Sequence, residues 1–310
     1  MRKKIVVTGV AGFIGSNLAD RLSAEGHSVV GIDNLAYGVR EQVPSTVDFR
    51  QVDVRDRRLD EHFAGADAIF HLAAKNCIAD CQADPVETSE INVSGSVNVF
   101  ETARRAGVRR LIYAESSAVY EGSKMLPTPE SEISPESFYA VSKVAEALFA
   151  EAYRRFSDLQ MTALRYFNVY GPRQDYRRTI PPATSAFIIK LLRGERPIIY
   201  GSGLKRRDFV YVDDVNDFHL RCLEDERTIG NVYNLGSGSN HSILELYRRV
   251  ADLLGTAIEP EYKPELPGEA EATLADVSAA RALGWEPHVD LDEGLRRSID
   301  YIKREVMQNR

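Results

Sequence analysis

Two side chains near the middle of the chain, Tyr139 and Lys143, have the types and spacing of a proton-transfer pair. The pattern over residues 137–156 predicts a helix, on which residues four apart share one face. A free tyrosine has a pKa of about 10 and is a poor base at neutral pH. An ammonium beside the phenol stabilises the phenolate, which could accept a hydroxyl proton while hydride leaves the same carbon. Because Tyr-x-x-x-Lys also occurs as plain helix surface, the interpretation depends on the motifs around it.

A glycine-rich turn at the start of the chain has the form of a pyrophosphate-binding site. Residues 3–8 are a β-branched run that predicts a buried parallel strand, and residues 16–24 have helical spacing. Between them, Gly9 allows a tight turn, Gly12 lets a phosphate reach the backbone, and Gly15 lets helix pack on strand. The helix N-terminus offers free N–H groups and a positive dipole end to the anion. The sequence therefore predicts a dinucleotide site.

An acidic residue at the end of the second predicted strand indicates which dinucleotide binds. Residues 28–32 form this strand, and Asp33 follows it, about 20 residues beyond the glycines. A carboxylate at that place accepts hydrogen bonds from the adenosine ribose and repels a 2′-phosphate. The predicted cofactor is therefore NAD rather than NADP.

The bulk composition limits the class of protein. The chain has 310 residues, a hydrophobic content of 44% and a net charge of −7, from 39 basic and 46 acidic residues. An acidic balance argues against a nucleic-acid partner, because a phosphate backbone needs a basic face. No apolar stretch is long enough to span a membrane and no signal peptide precedes the first strand, so we expect a cytoplasmic protein. The cysteines, Cys77, Cys81 and Cys222, lack a matching ligand set, so no metal is predicted.

Predicted strands and helices alternate through the first half of the chain, which indicates the α/β class. A second long helix is predicted over 87–106, ahead of the one that carries Tyr139. Alternation of this kind gives a parallel sheet covered by helices on both faces, the doubly wound Rossmann-type arrangement. The further strands of this sheet are predicted at 47–52, 68–72, 110–114 and 161–165.

Small and hydroxyl residues follow two of these strands, where a ligand would lie across the carboxyl edge of the sheet. They are Ala73, Ala74, Ser116 and Ser117. After residue 168 the chain becomes basic, proline-broken and irregular, which is typical of a binding loop. We therefore predict a cofactor domain over 1–167, with segments at about 209–238 crossing back to it, and a smaller α/β substrate-binding part over 168–310.

Seven motifs together resemble the extended short-chain dehydrogenase/reductase family, and within it the nucleotide-sugar 4-epimerases. They are TGVAGFIG, VGIDNL, FHLAA, IYAESSAVY, YAVSK, RYFNVYG and RRDFVYVDD, and they cover nearly the whole chain. The resemblance implies that NAD binds in an N-terminal Rossmann domain and a nucleoside-diphosphate sugar, UDP-linked in the epimerases, binds in the C-terminal part.

The resemblance also assigns site residues. The cofactor residues that it implies are Gly9, Gly12, Phe13, Ile14 and Gly15 at the pyrophosphate, Asp33 and Asn34 at the ribose, Asp53 and Val54 at the adenine, Leu72, Ala73, Ala74 and Asn92 along the cofactor, and Phe167 by the nicotinamide. The implied catalytic residues are Ser116, Tyr139 and Lys143, of which Tyr139 and Lys143 would also contact the cofactor. The implied substrate residues are Ser116, Ser117, Tyr139, Asn168, Tyr200, Arg207, Glu269 and Thr273.

The residues after Ser116 indicate the branch of the family. Related 4,6-dehydratases and decarboxylases carry acidic residues there, whereas this chain has Ser117 and Ala118, and Glu115 lies on the other side of the serine. The pattern favours epimerisation, in which NAD is reduced and reoxidised within one turnover. Two alternatives stay open: a dehydratase, decarboxylase or reductase of the same family, and a non-catalytic NAD-binding regulatory module.

The substrate's nucleotide and sugar stay open as well. Leu266 stands where many UDP-sugar epimerases have a phosphate-binding arginine, and Glu269 replaces a usual aspartate. Thr273 is small enough for an N-acetyl group or a carboxylate, so glucose, N-acetylglucosamine and glucuronate types all fit. The resemblance further implies a homodimer, in which the helices over 87–106 and 137–156 pair with their copies.

Two histidines and a cluster of arginines receive structural roles. His71 and His219 lie in strand or helix patterns, where a hydrogen-bonded core histidine is the usual state. A run of basic residues at a helix end is typical of a solvated surface. The arginines concerned are Arg104, Arg105, Arg109 and Arg110.

Overall fold

A seven-stranded parallel sheet forms the centre of the computed structural model, which describes residues 1–178, 180–265 and 270–307. Numbered along the chain, its strands are β1 Lys4–Thr8, β2 Ser28–Asp33, β3 Asp48–Gln51, β4 Ala68–His71, β5 Arg110–Ser116, β6 Gln160–Tyr166 and β10 Val232–Leu235. Their spatial order is β10-β6-β5-β4-β1-β2-β3. The predicted α/β class with a Rossmann-type doubly wound sheet is confirmed.

Two small sheets lie in the C-terminal part. One joins β7 Asn168–Tyr170, β9 Arg206–Tyr211 and β11 Asn240–Ser242, and the other pairs β8 Ile198–Tyr200 with β12 Glu261–Lys263. The eleven α-helices of the described residues are α1 Phe13–Ala24, α2 Asp60–Phe63, α3 Ile78–Ala83, α4 Pro85–Ser89, α5 Ser96–Arg105, α6 Phe138–Phe156, α7 Ala183–Leu192, α8 Val212–Glu224, α9 Ile243–Leu254, α10 Ser278–Ala282 and α11 Leu291–Tyr301. Wide π-helical turns continue α4 at Glu90–Gly95 and α11 at Ile302–Val306.

The first strand shows why the sheet is buried on both faces. Ile5 and Val7 point into the core on one side of the sheet, Val6 into the core on the other, and all three are 0% exposed. Successive side chains of a strand alternate between its faces, so only a continuous apolar run can fill both cores. Besides these two cores on the faces of the sheet, a third hydrophobic core lies in the C-terminal part, around α7, α9 and α11.

The carboxyl ends of the parallel strands meet at one edge of the sheet, and the chain returns to this edge late. β10 pairs in parallel with β6, which brings residues after 231 back beside the cofactor half. The helix predicted over 87–106 is present as α4, the π-helical turn and α5. In the described residues, no helix has the length and apolar character needed to cross a membrane.

Candidate active site

The glycine turn between β1 and α1 opens into a long cavity at the sheet edge. Gly9 has a positive φ of 75°, and a Cβ there would stand 2.8 Å from the Ala73 amide nitrogen. A Cβ on Gly15 would collide with the Gly9 carbonyl, whereas one on Gly12 would meet only that carbonyl, at 3.2 Å. Glycine is therefore required at both ends of the turn, and Gly12 leaves the backbone open to a ligand.

Most of the predicted cofactor residues line this cavity together, which we call the cofactor cavity. They are Gly9, Gly12, Phe13, Ile14, Gly15, Asp33, Asn34, Asp53, Val54, Leu72, Ala73, Ala74, Tyr139 and Lys143. They come from the ends of β1 to β4 and from the starts of α1 and α6, so residues distant in sequence share one wall.

The Asp33 carboxylate shapes the rim of the cofactor cavity. Its oxygens accept hydrogen bonds from the amides of Ala11 at 3.0 Å and Leu35 at 2.8 Å. Burial raises the pKa of Asp33, and these two backbone hydrogen bonds oppose that rise. Next to it, the Asn34 amide donates to Asp53 at 2.8 Å. A hydrogen bond thus connects a residue predicted for the ribose with one predicted for the adenine.

Helix α6 presents the proton-transfer pair to the cavity. Its N-cap is Ser137, whose hydroxyl accepts from the Ala140 amide at 3.1 Å and donates to Glu121 at 2.9 Å. This capping fixes the helix start two residues before Tyr139. Lys143 follows one turn later, and both side chains are buried.

The surroundings of Tyr139 act on its pKa in opposite directions. Burial has the largest effect and raises the pKa of the phenol above its usual value, while the Lys143 ammonium and a hydrogen bond with Ser116 oppose that rise. Ser116 ends β5, and its hydroxyl also accepts from the Ala118 amide at 3.2 Å. The Lys143 Nζ donates to the Ala114 carbonyl at 2.9 Å and to Glu146 at 2.8 Å. The structure thus brings the three predicted catalytic residues together.

A second cavity, which we call the substrate cavity, joins the first at Tyr139. The predicted substrate residues that line it are Ser116, Ser117, Tyr139, Asn168, Arg207 and Thr273. Thr273 donates to Asn168 at 3.4 Å and accepts from the Asp208 amide at 3.2 Å. The Arg207 guanidinium donates to the carbonyls of Arg206 at 2.9 Å and Ala270 at 2.8 Å.

Three predicted residues lie elsewhere. Phe167 lines the substrate cavity rather than the cofactor cavity. Asn92 is buried behind the cofactor wall, where it bonds both backbone groups of Lys75, at 2.8 and 2.9 Å. Tyr200 lies in β8, outside both cavities. The predictions for Glu269, and for Leu266 beside it, fall outside the described residues.

Several cavity residues were not predicted. Lys75 is 4% exposed, lines the cofactor cavity and pairs with Glu87 at 2.6 Å. Its position directly after the small residues of FHLAA was the available signal. Over the other rim, Arg177 donates to the Tyr37 carbonyl at 3.4 Å, so the two halves of the chain meet above the cavity. No pattern of neighbouring residues in the sequence predicts that contact.

Glu115 lies closer to the site than its place in the sequence suggested, since it lines both cavities. Its carboxylate is nevertheless occupied, because Arg165 donates to it at 2.5 Å and the Tyr113 hydroxyl at 3.1 Å. Both partners are buried with it. This carboxylate is therefore held away from proton transfer to a ligand.

The structural roles predicted for the histidines are confirmed, and one arginine assignment is wrong. His71 bonds Thr8 at 2.7 Å and Ser96 at 2.9 Å, and His219 bonds the Tyr166 hydroxyl at 2.7 Å. Arg110 is buried rather than solvated, because it is a strand residue whose guanidinium donates to the Cys222 carbonyl at 2.7 Å and to Thr228 at 2.5 Å. The described residues contain no cluster of metal-ligating side chains.

The model of the NAD dependent epimerase/dehydratase family matches residues 5–236, which include both cavities' strands and α6. The chain belongs to this family. Among its relatives, the UDP-glucose 4-epimerase of Mycolicibacterium smegmatis is 37% identical over 310 residues, covering 97% of this chain and 98% of that protein.

Solved structures agree with this membership. The UDP-glucose 4-epimerase of Thermotoga maritima, solved with UDP-glucose, has a TM-score of 0.93 and 35% identity, and the match covers 97% of this chain and 99% of that one. The UDP-glucuronic acid 4-epimerase of Bacillus cereus, solved with UDP-glucuronic acid and NAD, has a TM-score of 0.90 and 30% identity, covering 97% and 99%. The resemblance inferred from the seven motifs is thus confirmed.

Proposed function

We propose that this protein is an NAD-dependent 4-epimerase of a UDP-linked sugar. The observation that carries the proposal is the position of Tyr139, which lies where the cofactor cavity and the substrate cavity meet, within reach of Lys143 and Ser116. A proton acceptor at such a junction can serve a hydroxyl in one cavity while hydride passes to or from the other.

The cofactor cavity fits NAD. The glycines Gly9 and Gly15 let the turn pack closely on its own backbone, and Gly12 leaves the backbone open to the close approach of a pyrophosphate. The carboxylate of Asp33 at the rim suits a ribose with a free 2′-hydroxyl. When bound, NAD supplies the acceptor and donor of hydride for carbon 4 of the sugar.

The chain's own residues handle the proton and the orientation. Ser116 positions the 4-hydroxyl, and Tyr139 takes its proton as carbon 4 is oxidised. Lys143 stabilises the phenolate and would hold the nicotinamide ribose when NAD is bound. Tyr139 then returns the proton after the 4-keto sugar has turned its other face. The residues that the resemblance assigns to the nucleotide end of the substrate are Asn168, Tyr200, Arg207 and Glu269, and it assigns Thr273 to the wall of the sugar pocket.

A dehydratase or decarboxylase is less well supported. Those reactions need an acid or base beyond the tyrosine, and the residues after Ser116 are Ser117 and Ala118. The carboxylate of Glu115, which lines both cavities, is held by Arg165. A non-catalytic module would have no reason to keep Tyr139, Lys143 and Ser116 together at the junction of two cavities.

Substrate deuterated at carbon 4 tests the proposal. Hydride leaves and returns at the same carbon, so the epimer should keep its label in ordinary water, its mass should be unchanged and no NADH should accumulate. Loss of water or carbon dioxide, washout of the label, or stoichiometric NADH release would contradict the epimerase assignment. Assays with UDP-glucose, UDP-N-acetylglucosamine and UDP-glucuronic acid in parallel would identify the sugar.

We further infer a cytoplasmic homodimer with no nucleic-acid partner. Helix α6 exposes apolar side chains that a second copy could cover, among them Leu148 at 68% and Phe149 at 45% exposure. Light scattering of the Phe149→Asp variant should show a monomer, and Leu204→Asp, at an exposed site on another face, should not.

The three free thiols suit a reducing compartment. The net charge of −7 disfavours binding to nucleic acid.

A further inference from the structure

A chain of buried polar side chains lies behind the proton-transfer pair. From Lys143 Nζ it runs to Glu146 at 2.8 Å, from Glu146 to the Ser96 hydroxyl at 2.9 Å, and from Ser96 to His71 at 2.9 Å. His71 in turn bonds Thr8 at 2.7 Å, at the end of β1. All five side chains are at most 4% exposed.

The far end of this chain supports the cofactor cavity. The Thr8 hydroxyl accepts hydrogen bonds from the amides of Leu72 at 3.2 Å and Ala73 at 3.3 Å, two residues of the cavity wall. This series of hydrogen-bonded side chains therefore connects the wall of the cofactor cavity to Lys143. The catalytic sequence described above leaves Glu146, Ser96 and His71 without a role.

The hydrogen bonds of the Lys143 ammonium group fix the orientation of its side chain. An ammonium group has three N–H donors. Two of them are taken, by the Ala114 carbonyl at 2.9 Å and by Glu146 at 2.8 Å. Lys143 also lines the cofactor cavity. The third donor is left for the cofactor cavity, which Tyr139 also lines.

Among the groups around Tyr139 and Lys143, Glu146 supplies the negative charge that balances the Lys143 ammonium. Among the described residues, the titratable groups from other elements that face Tyr139, Lys143 or Glu146 are Cys81 on α3, His71 on β4, Tyr113 and Glu115 on β5 and Tyr166 on β6. His71 is neutral, because burial and the nearby Lys143 lower its pKa to about 3. Glu115 is paired with Arg165.

We propose, on the basis of the function proposed above, that Glu146 is a positioning residue of the reaction. Its carboxylate keeps the Lys143 ammonium charged and aimed at Tyr139 and the cofactor, and the chain of Ser96, His71 and Thr8 keeps that carboxylate in place.

The proposal has a direct consequence for proton loss. With Glu146 present, the group formed by Tyr139, Lys143 and Glu146 is neutral overall when the tyrosine is protonated. With glutamine instead, the same group carries one positive charge and gives up its first proton more readily, whichever side chain loses it. A carboxylate that served packing alone would leave this titration unchanged.

The pH profile of the Glu146→Gln holoenzyme tests this consequence. We expect the acid limb of kcat to move to lower pH by about 1–3 units, the range for loss of a close opposite charge. We also expect kcat at the optimum to fall while KM for the UDP-sugar changes little, because the nucleotide end lies elsewhere. Glu146→Asp should retain the wild-type acid limb. Glu151→Gln, at a half-exposed position on the same helix, is the matched control.

A stability cycle tests the pairing without activity. Glu146→Gln leaves a buried ammonium without its partner, and Lys143→Met leaves a buried carboxylate without its partner. The double variant should therefore have a higher Tm than either single variant, or should accumulate where they do not.

An unshifted acid limb in folded Glu146→Gln, or additive losses of Tm in the cycle, would overturn the proposal. If the wild-type enzyme fails to epimerise any UDP-sugar, the proposed function fails, and the stability cycle still tests the pairing.

Discussion

Removal of a single oxygen atom, by Tyr139→Phe, tests the proton-transfer role. The ring is buried, so phenylalanine fits the same volume. The phenol's partner, Ser116, keeps its hydrogen bond from the Ala118 amide at 3.2 Å. Loss of one hydrogen bond reduces the free energy of unfolding by about 0.5–1.5 kcal/mol. The variant should therefore fold and retain NAD.

The loss of rate should be much larger. A positioned general base contributes roughly 10²–10⁴ in rate, which corresponds to about 2.7–5.4 kcal/mol of activation free energy. We expect kcat to fall by that factor. KM should change much less, because the residues assigned to the nucleotide end, such as Asn168 and Arg207, line another stretch of the substrate cavity.

The assay is the steady-state rate of epimerisation, with Tyr233→Phe as the matched control. Tyr233 is 5% exposed and its hydroxyl donates to the Arg227 carbonyl at 3.2 Å, so the control loses the same atom and a similar hydrogen bond. It lies outside both cavities and should keep the wild-type kcat. A Tyr139→Phe enzyme with kcat within about threefold of wild type would refute the role of the phenol as base.

Three further outcomes are expected. Gly12→Val should abolish NAD binding, measured as cofactor content, because its side chain fills the space that the pyrophosphate needs. Glu115→Gln should lower the free energy of unfolding in urea by about 3–5 kcal/mol, since it leaves Arg165 buried without its counter-charge. Burial lowers the pKa values of His71 and His219 to about 3. Below about pH 6.5 the unfolded chain therefore binds more protons than the folded protein does, and the free energy of unfolding decreases as the pH is lowered. Urea unfolding between about pH 6 and 5 should show a slope of about 1.4 kcal/mol per unit for each histidine, and His219→Gln should remove one share.

Local patterns determined a large part of this protein. The continuous apolar run of β1, the glycines after it and the spacing of α1 depend on residues a few positions apart, so they can be recognised in the sequence. The same holds for Tyr139 and Lys143, whose common face follows from helical geometry. These patterns predicted the sheet, the cofactor turn and the catalytic pair.

Other residues received their roles only from tertiary structure. Arg110 belongs to a run of basic residues that is typical of a solvated surface. In the structure it is a strand residue whose side chain contacts Thr228, 118 positions later, and it is buried by that contact. The resemblance assigns Asn92 to the cofactor, yet its side-chain amide is hydrogen-bonded to the backbone of Lys75. Neither outcome follows from neighbours in sequence, because both partners are brought in by packing.

The pairing of Glu115 shows the physical reason. Glu115 and Arg165 are 50 residues apart in sequence and directly opposite each other in the parallel register of β5 and β6. A shift of that register by one residue would send the two side chains to opposite faces of the sheet. Register is set by the packing of both cores around the sheet, so the buried ion pair, like the contact of Glu146 with Ser96, exists only once the whole sheet has formed.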